Sequence, residues 1–298
     1  MTTPRLLPRL TAIALLGTLL TACTNTTTDV ATASADADNL AKLEAVVAAR
    51  SDASRVRDPA RNPVQTLQFF QVEPGMTVAE ALPGRGWYTE ILASYLGSEG
   101  TLYGVNYADR MWNMFSWATP QWVSTRKAGT AGFPDMVARL SDSGVQAGGF
   151  AFEGVPEDVI GSVDRVLLIR ALHNLNRFEA DAGTRTNALA DVRAMLKDDG
   201  MVGVVQHRAP ESASDEGAQG ARGYLKESAV IAMFESAGFE LVDSADINAN
   251  SKDQPGEADV VWRLPPSLRG TEAETPERAA MELIGESDRM TLLFKKAG

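Results

Sequence analysis

The chain has little of the residue types that enzymes use for metal and thiol chemistry. Its 298 residues include one cysteine, Cys23, and two histidines, His173 and His207. One cysteine excludes an internal disulfide, and two histidines far apart in the sequence do not complete a zinc ligand set. Neither a calcium-loop spacing of acids nor the Gly-x-Ser-x-Gly elbow of a serine hydrolase is present. The sequence therefore predicts no metal site.

Positive charge is also scarce. The chain has 28 lysines and arginines against 39 acidic residues, a formal net charge of -11. A surface that negative repels phosphate backbones and anionic lipid head groups. We therefore expect no nucleic-acid partner, although a basic pocket for a small anion is compatible with this composition.

The N-terminus carries an apolar segment that is too short to span a bilayer comfortably. Arg5 and Arg9 precede it, and it covers residues 10–20, as in a secretory signal. It ends in Leu-Thr-Ala-Cys at residues 20–23, which resembles the lipobox of bacterial lipoproteins. The resemblance implies lipidation of Cys23 after cleavage, and an incidental or buried thiol is the alternative.

These features predict three regions. Residues 1–22 are expected to be a signal peptide, and residues 23–39 a lipidated cysteine with a flexible tether rich in Thr, Ala, Ser and Asp. Residues 40–298 then form the folded domain. We expect an exported protein that is anchored to the bacterial cell envelope by lipid alone and faces the periplasm or the cell exterior. The sequence gives no indication of oligomeric state.

The body of the chain alternates strand-like and helical segments, which favours a three-layer α/β sandwich. Strands are predicted at residues 76–82, 101–105, 145–152, 163–169, 201–206, 239–242 and 289–295. Helices are predicted at residues 87–96, 180–196 and 226–237, with two more between 40 and 70 and one within 112–140. Ligands bind beyond the carboxyl ends of parallel strands, so the loop after the first strand is the first candidate site.

That loop lies in a stretch with a specific resemblance. Residues 74–92 read PGMTVAEALPGRGWYTEIL and resemble the first motif of class I S-adenosylmethionine-dependent methyltransferases. With residues 57–63, 164–175, 238–242 and 261–266, the chain from Arg57 onwards resembles a bacterial group of predicted secreted methyltransferase-like proteins. The resemblance implies a Rossmann-like seven-stranded sheet with an antiparallel last strand. It also implies S-adenosylmethionine as cofactor, with an unknown small-molecule or envelope component as acceptor.

The motif assigns roles at five positions. Glu80 matches the acid that orients the cofactor's ammonium group, and Gly84 and Gly86 match the glycine turn. Leu82 replaces the first glycine of the family pattern, and Asn106 replaces the acid that binds both ribose hydroxyls. Loss of that charge-assisted contact costs about 1 to 2 kcal/mol, or roughly tenfold in affinity.

Further candidates follow the third and fourth strands. Glu153 is placed to approach the adenine edge, with a solvated loop carboxylate as the alternative. Arg170, His173 and Asn174 follow the fourth strand, beside the expected methyl position. Arg170 would contact the cofactor, His173 would deprotonate an acceptor, and Asn174 would align one. Structural roles are the alternative for His173 and for His207, which is expected after the fifth strand.

Two other groups precede or follow the glycine loop. Arg57, Asp58 and Arg61 are candidates for a lid or an anion clamp, with a surface ion-pair cluster as the alternative. Tyr88 is a candidate for the pocket wall, which packing would explain equally well.

An aromatic group and an insertion complete the candidates. Trp112, Trp117 and Trp122 would cover the cofactor, line an acceptor pocket or belong to the core. Residues 248–288 form an insertion before the last strand, and insertions there commonly contribute to acceptor binding.

Three functions are compatible with the sequence. The favoured one is an S-adenosylmethionine-dependent methyltransferase, although its cofactor is made in the cytosol. The second is a non-catalytic ligand-binding or interaction lipoprotein, favoured by Leu82, Asn106 and the export signal. The third is a nicotinamide-dependent oxidoreductase, for which Asn106 and Arg110 suit a phosphorylated ribose but Thr89 replaces a required glycine. A last strand that runs antiparallel between the fifth and sixth strands would favour the methyltransferase fold.

Overall fold

The computed structural model describes Met1 and residues 26–298, with side chains from residue 35 onwards. The chain divides into two compact units, residues 1–38 and 39–298, and the second contains the sheet. Apart from Met1, the predicted signal peptide lies outside the described residues, as does Cys23. Helix α1, Thr26–Ala49, covers most of the segment predicted as a flexible tether. That segment is helical because it is rich in alanine and free of proline and glycine.

Further helices precede and connect the strands. The described helices are α1, α2 (Asp52–Arg55), α3 (Asp58–Arg61), α4 (Pro63–Phe69), α5 (Trp87–Leu96), α6 (Pro120–Ala131), α7 (Phe133–Leu140), α8 (Leu172–Asn176), α9 (Glu179–Ala182), α10 (Thr184–Met195), α11 (Glu227–Ser236) and α12 (Pro276–Ile284). Four helices, α1 to α4, cover the region between residues 40 and 70 in which two were predicted. Pro59 and Pro63 lie in the first turns of α3 and α4, and a further break, capped by Ser51, separates α1 from α2. The helix predicted at residues 180–196 is broken at Gly183, which has a φ of 61°.

The strands form one twisted sheet. They are β1 (Thr77–Ala81), β2 (Thr101–Asn106), β3 (Gln146–Ala151), β4 (Val163–Ile169), β5 (Leu196–Ala209), β6 (Leu225–Lys226), β7 (Phe239–Ala245) and β8 (Arg289–Lys296). The order is β3-β2-β1-β4-β5-β8-β7, and the short β6, which was not predicted, pairs with the end of β5.

The direction of the last strand identifies the fold. Strand β8 runs antiparallel to both β5 and β7 and lies between them, whereas β1 to β5 are parallel. This is the arrangement that the resemblance implies, with β7 and β8 as the sixth and seventh main strands. The predicted three-layer, Rossmann-like sheet of the class I methyltransferase fold is confirmed.

Apolar side chains cover both faces of the sheet. In β4, Val166 and Leu168 belong to one core cluster, which also contains Val192 and Phe234. Leu167, between them, faces a second cluster that includes residues of α4 and α5. A strand buried on both faces reads as a continuous apolar run, which is why β4 has its predicted bounds.

Candidate functional site

A cavity of about 900 Å³ lies at the carboxyl ends of four parallel strands. Its border includes the loop after β1, the end of β2, the loop after β4 and the end of β5. Aromatic residues between 107 and 122 close one side, and Val260, Trp262 and Arg269 of the insertion reach another. The site predicted from the strand pattern and the main cavity therefore coincide.

The two glycines of the loop after β1 have different surroundings. Gly84 has a φ of 63° and borders the cavity, and a Cβ there would meet nothing closer than the Leu82 carbonyl oxygen at 3.8 Å. Gly86 has a φ of 82° and faces α7. A Cβ at Gly86 would lie 2.7 Å from Leu140 Cδ1 and 3.1 Å from Met136 Sδ. Gly84 therefore leaves space open at the cavity border, and Gly86 allows α5 to pack against α7.

Leu82 narrows the cavity border without filling the space. Its side chain is partly buried against the core and reaches the cavity wall. Its backbone has a φ of 54°, a left-handed conformation that glycine adopts freely and that costs other residues about 1 kcal/mol. The backbone NH donates to the Val105 carbonyl oxygen at 2.7 Å, which holds this turn against β2.

Glu80 lies behind the cavity wall rather than on it. Its side chain is 5% exposed, and Thr89 Oγ1 donates a hydrogen bond to Oε2 at 2.6 Å. Burial raises the pKa of Glu80 to about 7. Glu80 is absent from the residues that border the cavity. The carboxyl group predicted to orient a ligand ammonium is therefore directed at α5.

The ribose and adenine candidates separate. Asn106 borders the cavity, and its Oδ1 accepts a hydrogen bond from the Tyr107 NH at 3.0 Å. Glu153 instead pairs with Arg110, whose Nε lies 2.6 Å from Oε2, and accepts a bond from Asn187 Nδ2 at 2.9 Å. Arg110 holds the pKa of Glu153 below its usual range. Both Glu153 and Arg110 border a different, shallower cleft.

The two histidines, distant in the sequence, are neighbours in space. Their ring centroids are 5.2 Å apart, because β4 and β5 are adjacent strands and His207 lies within β5 rather than after it. His173 Nδ1 lies 3.1 Å from Gln206 Oε1, and His207 Nδ1 lies 2.5 Å from Ser287 Oγ. Both histidines border the cavity.

Burial makes both histidines weak bases. It lowers the pKa of His173 to about 4 and the pKa of His207 well below its ordinary value. Both rings are therefore neutral at pH 7. Within the described residues, no group of three His, Cys, Asp or Glu side chains is placed to hold a metal ion.

Arg170 and Asn174 both reach the cavity. Arg170 has a φ of 56°, an unusual backbone conformation for a non-glycine residue, and its NH donates to the Val205 carbonyl oxygen at 2.6 Å. Burial lowers the pKa of the Arg170 guanidinium to about 10. The charge of Glu286 partly offsets this effect, because a nearby carboxylate favours the protonated guanidinium.

A buried arginine cluster lies next to Arg170 and consists of Arg57, Arg61 and Arg289 around Glu286. Arg57 Nε and Arg289 Nη1 lie 2.6 Å and 3.2 Å from the Glu286 carboxylate. Arg61 is 2% exposed, and its three guanidinium nitrogens have no hydrogen-bond partner among the described residues. Three cations share one acid, so the cluster has an excess of positive charge.

The prediction for residues 57–61 needs correction, and of the two roles considered for Tyr88 the structure shows the packing role. The segment forms neither a lid nor a surface ion-pair cluster, because Arg61 is buried against Trp87, with its guanidinium carbon 4.4 Å from the ring centroid. Asp58 pairs with Arg50. Tyr88 is buried, and its hydroxyl donates to the Arg61 carbonyl oxygen at 3.4 Å, so it packs beside the arginine cluster and not on the cavity border.

The tryptophans have two of the roles considered for them, because all three line the cavity and Trp112 also belongs to a small core cluster. They form an aromatic wall of the cavity, whose members are Tyr107, Trp112, Phe115, Trp117 and Trp122. Trp112 and Phe115 are buried in a small core cluster of their own, whereas Trp117 is 58% exposed. The rings of Trp117 and Trp122 meet edge to face at 4.7 Å.

Sequence reasoning identified Arg170 but missed the three other arginines that border the cavity. Arg126, Arg177 and Arg269 border it together with Arg170, and none of the described residues that border it is Asp or Glu. The three missed arginines come from α6, from the end of α8 and from the insertion, whereas Arg170 follows β4. Because these arginines are far apart in the sequence, no motif predicts that they lie together. The cluster is notable only because the rest of the chain has an excess of acidic residues.

Among the residues that the structure describes, no helix combines the length and apolar character needed to cross a membrane.

Comparison with known proteins yields likenesses of fold. No family model and no curated protein matches the chain. A SAM-dependent methyltransferase from Aquifex aeolicus is 19% identical over 64% of this chain and 87% of its own, with a TM-score of 0.44. The 1,6-didemethyltoxoflavin-N1-methyltransferase of Burkholderia thailandensis, with bound S-adenosylhomocysteine, is 13% identical over 94% of each chain, with a TM-score of 0.43.

The protein PH0226 of Pyrococcus horikoshii OT3 is 11% identical over 83% of this chain and 92% of its own, with a TM-score of 0.43. Identities and TM-scores this low leave the activity to be decided from the site. The fold assignment itself rests on the strand order, in which β8 lies antiparallel between β5 and β7.

Proposed function

We propose that the cavity binds S-adenosylmethionine and that the protein transfers the cofactor's methyl group to a second ligand. The observation that carries this proposal is the continuous space of about 900 Å³ that reaches Gly84, Asn106 and Asn174. The Leu82 side chain borders that space without occupying it. A cofactor of this size needs such a continuous space beside the glycine turn.

The residues present fit the cofactor in shape. The backbone at Gly84 admits a close approach, and Asn106 offers its amide to the ribose hydroxyls. The aromatic wall provides flat apolar surface beside them. When bound, the cofactor supplies a methyl group on a positively charged sulfur. The cavity is less complementary to the cofactor in charge, because none of the described residues on its border is an acid that could take the role of Glu80 or replace Asn106.

The two histidines limit the chemistry that the protein's own residues can perform. A base with a pKa of about 4 removes a proton poorly near neutral pH. We therefore assign His173 and Asn174 to the positioning of the acceptor rather than to its deprotonation. The acceptor is then a nucleophile that carries a free lone pair or is already deprotonated in solution, and alignment supplies the rate.

A non-catalytic ligand-binding protein is the second candidate. It is favoured by the hydrogen bond that holds the Glu80 carboxyl against α5 and by the absence of acids from the described cavity border. Binding of S-adenosylhomocysteine without methyl transfer to any acceptor would favour this candidate.

Calorimetric titration of the full chain with S-adenosylmethionine, S-adenosylhomocysteine and NADP tests the proposal. We expect both adenosyl ligands to bind, and Asn106→Asp to bind them about tenfold more tightly because a carboxylate accepts from both ribose hydroxyls. The matched control is Asn113→Asp, an exposed residue whose side chain does not border the cavity, which should leave the affinities unchanged. Unchanged affinity in Asn106→Asp would remove the ribose assignment, and preferential NADP binding would overturn the proposal.

We also propose that the protein is exported and anchored to the cell envelope through lipid on Cys23. The charged start, the apolar segment and the Leu-Thr-Ala-Cys sequence at residues 20–23 support this localisation. Cys23→Ser should abolish incorporation of labelled fatty acid in cells, whereas Ser34→Ala in the same segment should retain the label. Persistent labelling of Cys23→Ser would contradict lipidation at this residue.

A further inference from the structure

The cavity has a charge opposite to that of the protein as a whole. The chain carries a formal net charge of -11. Four arginines nevertheless border the cavity, and within the described part of the chain no acid does. Arginine side chains that converge on one space without acids repel one another unless an anion joins them.

The arginines are arranged in two ways. Arg126, Arg177 and Arg269 each lie over an aromatic ring, with guanidinium carbons 5.2 to 5.8 Å from the centroids of Trp122, Phe115 and Trp262. These three guanidinium groups extend the flat surfaces that the rings provide.

Arg170 differs from the other three. Its backbone has a φ of 56°, a conformation that costs a non-glycine residue free energy. Glu286 is the acid whose charge acts on its guanidinium, and this acid also pairs with Arg57, Arg61 and Arg289. The neighbouring cluster of Arg57, Arg61 and Arg289 contains a single acid, Glu286, which is already bonded to Arg57. Arg170 is therefore a half-buried guanidinium on the cavity border that, among the described residues, shares its one neighbouring acid with three other arginines.

We propose that the second ligand of the cavity, the methyl acceptor, is a flat molecule with an anionic group. The carboxylate or phosphate of that molecule binds Arg170, and its ring system packs against the aromatic wall. The identification of this molecule as the methyl acceptor rests on the proposed function, whereas the anion site itself does not depend on the cofactor. A carboxylate can also come from the cofactor's own methionine portion, and the experiment separates these two sources.

The first arm uses 1-naphthoate and its neutral matched probe 1-naphthamide, with binding followed by tryptophan fluorescence. We expect the wild-type chain to bind naphthoate at least tenfold more tightly than naphthamide. Arg170→Gln should remove that preference while leaving naphthamide binding unchanged. Arg139→Gln, an exposed arginine of α7 away from the cavity, is the control and should bind as the wild type does.

Arg170 is half-buried, so a second variant guards against a folding defect. Arg269→Gln removes an exposed guanidinium from the cavity border and should weaken naphthoate binding about threefold. Equal affinity of the wild-type chain for the two probes, or a full preference retained in both variants, overturns the proposal.

The second arm compares S-adenosylhomocysteine with 5′-methylthioadenosine, which lacks the amino-acid portion. Unchanged affinity of Arg170→Gln for S-adenosylhomocysteine supports an acceptor anion. A loss confined to S-adenosylhomocysteine assigns Arg170 to the cofactor's carboxylate and overturns the acceptor assignment. If naphthoate binds through Arg170 but neither adenosyl ligand binds, the anion site stands and the methyltransferase proposal fails.

Discussion

Burial determines the protonation of two residues that the family motif and the strand pattern single out. Glu80 has one side-chain hydrogen bond, from Thr89, and its pKa rises to about 7. His173 lies against Gln206, and its pKa falls to about 4. In both cases removal from water disfavours the charged form. Each residue therefore makes stability depend on pH, with opposite sign.

For Glu80, the folded-state pKa lies above the unfolded value of 4.5. The contribution of Glu80 to stability is therefore fully present below pH 4.5 and is lost as pH rises from 4.5 through 7, by about 3 kcal/mol. Glu80→Gln keeps the shape and removes this titration, so the variant should gain relative to the wild type between pH 5 and pH 8. Urea unfolding at both values measures the difference. Parallel pH profiles for the two proteins would show that the carboxyl is not desolvated.

For His173, the folded-state pKa lies below the unfolded value of 6.5. The contribution of His173 to stability is fully present above pH 6.5 and is lost as pH falls from 6.5 towards 4, by about 3 kcal/mol. His173→Gln should lose less stability than the wild type when the pH falls from 7 to 4.5. Thermal unfolding of the two proteins across this range provides the measurement, and an equal loss in both argues against a buried neutral ring.

The residue types of the site were easier to predict than their surroundings. Residues Gly84, Asn106 and Asn174 reach the cavity because strand ends meet at one edge of the sheet, which the strand pattern indicates. The positions of Glu80 and Glu153 depend on side-chain partners, Thr89 and Arg110, that no motif specifies. Proximity of His173 to His207 depends on the pairing of β4 with β5.

At the scale of elements, the turn between β1 and α5 has two glycines with separate functions. Gly84→Ala introduces a Cβ into open space at positive φ, so we expect a loss of about 1 kcal/mol in stability together with weaker S-adenosylhomocysteine binding. Gly86→Ala adds a contact of 2.7 Å to Leu140, so it should lose about 2 to 4 kcal/mol.

Chemical denaturation and calorimetry of the two variants measure both effects. The pair separates the two functions because only Gly84 borders the cavity. Equal stability losses in Gly84→Ala and Gly86→Ala would contradict the packing of Gly86 against α7.

Elements buried on both sides were predicted with close bounds, and β4 is an example. The bounds of segments that begin or end at a local break in the chain were predicted less closely. Helix α10 begins after the left-handed Gly183, and β5 extends to Ala209 because it pairs with β8 and β6 at its end. The insertion before β8 contains α12, Pro276–Ile284, none of whose residues is buried.

At the scale of the whole molecule, charge is segregated. An acidic chain surrounds a cavity bordered by arginines, so small anions are favoured inside while polyanions are repelled from the surface. Added salt should therefore reduce the affinity for naphthoate less than it would at an exposed site. The reason is that salt screens the half-buried Arg170 less than it screens a surface charge. Titration of naphthoate at about 0.05 M and about 0.5 M salt distinguishes a half-buried anion site from an exposed one.

The central claim is that the carboxyl edge of β1, β2 and β4 accepts an adenosyl ligand. The crystal structure of the full chain with S-adenosylhomocysteine tests this claim most directly. We expect the ribose within hydrogen-bond distance of Asn106 and the amino-acid portion beside Gly84, with Leu82 at the border. The claim would be contradicted if the ligand bound elsewhere, or if the Leu82 side chain filled the cavity and no ligand bound there at a saturating concentration.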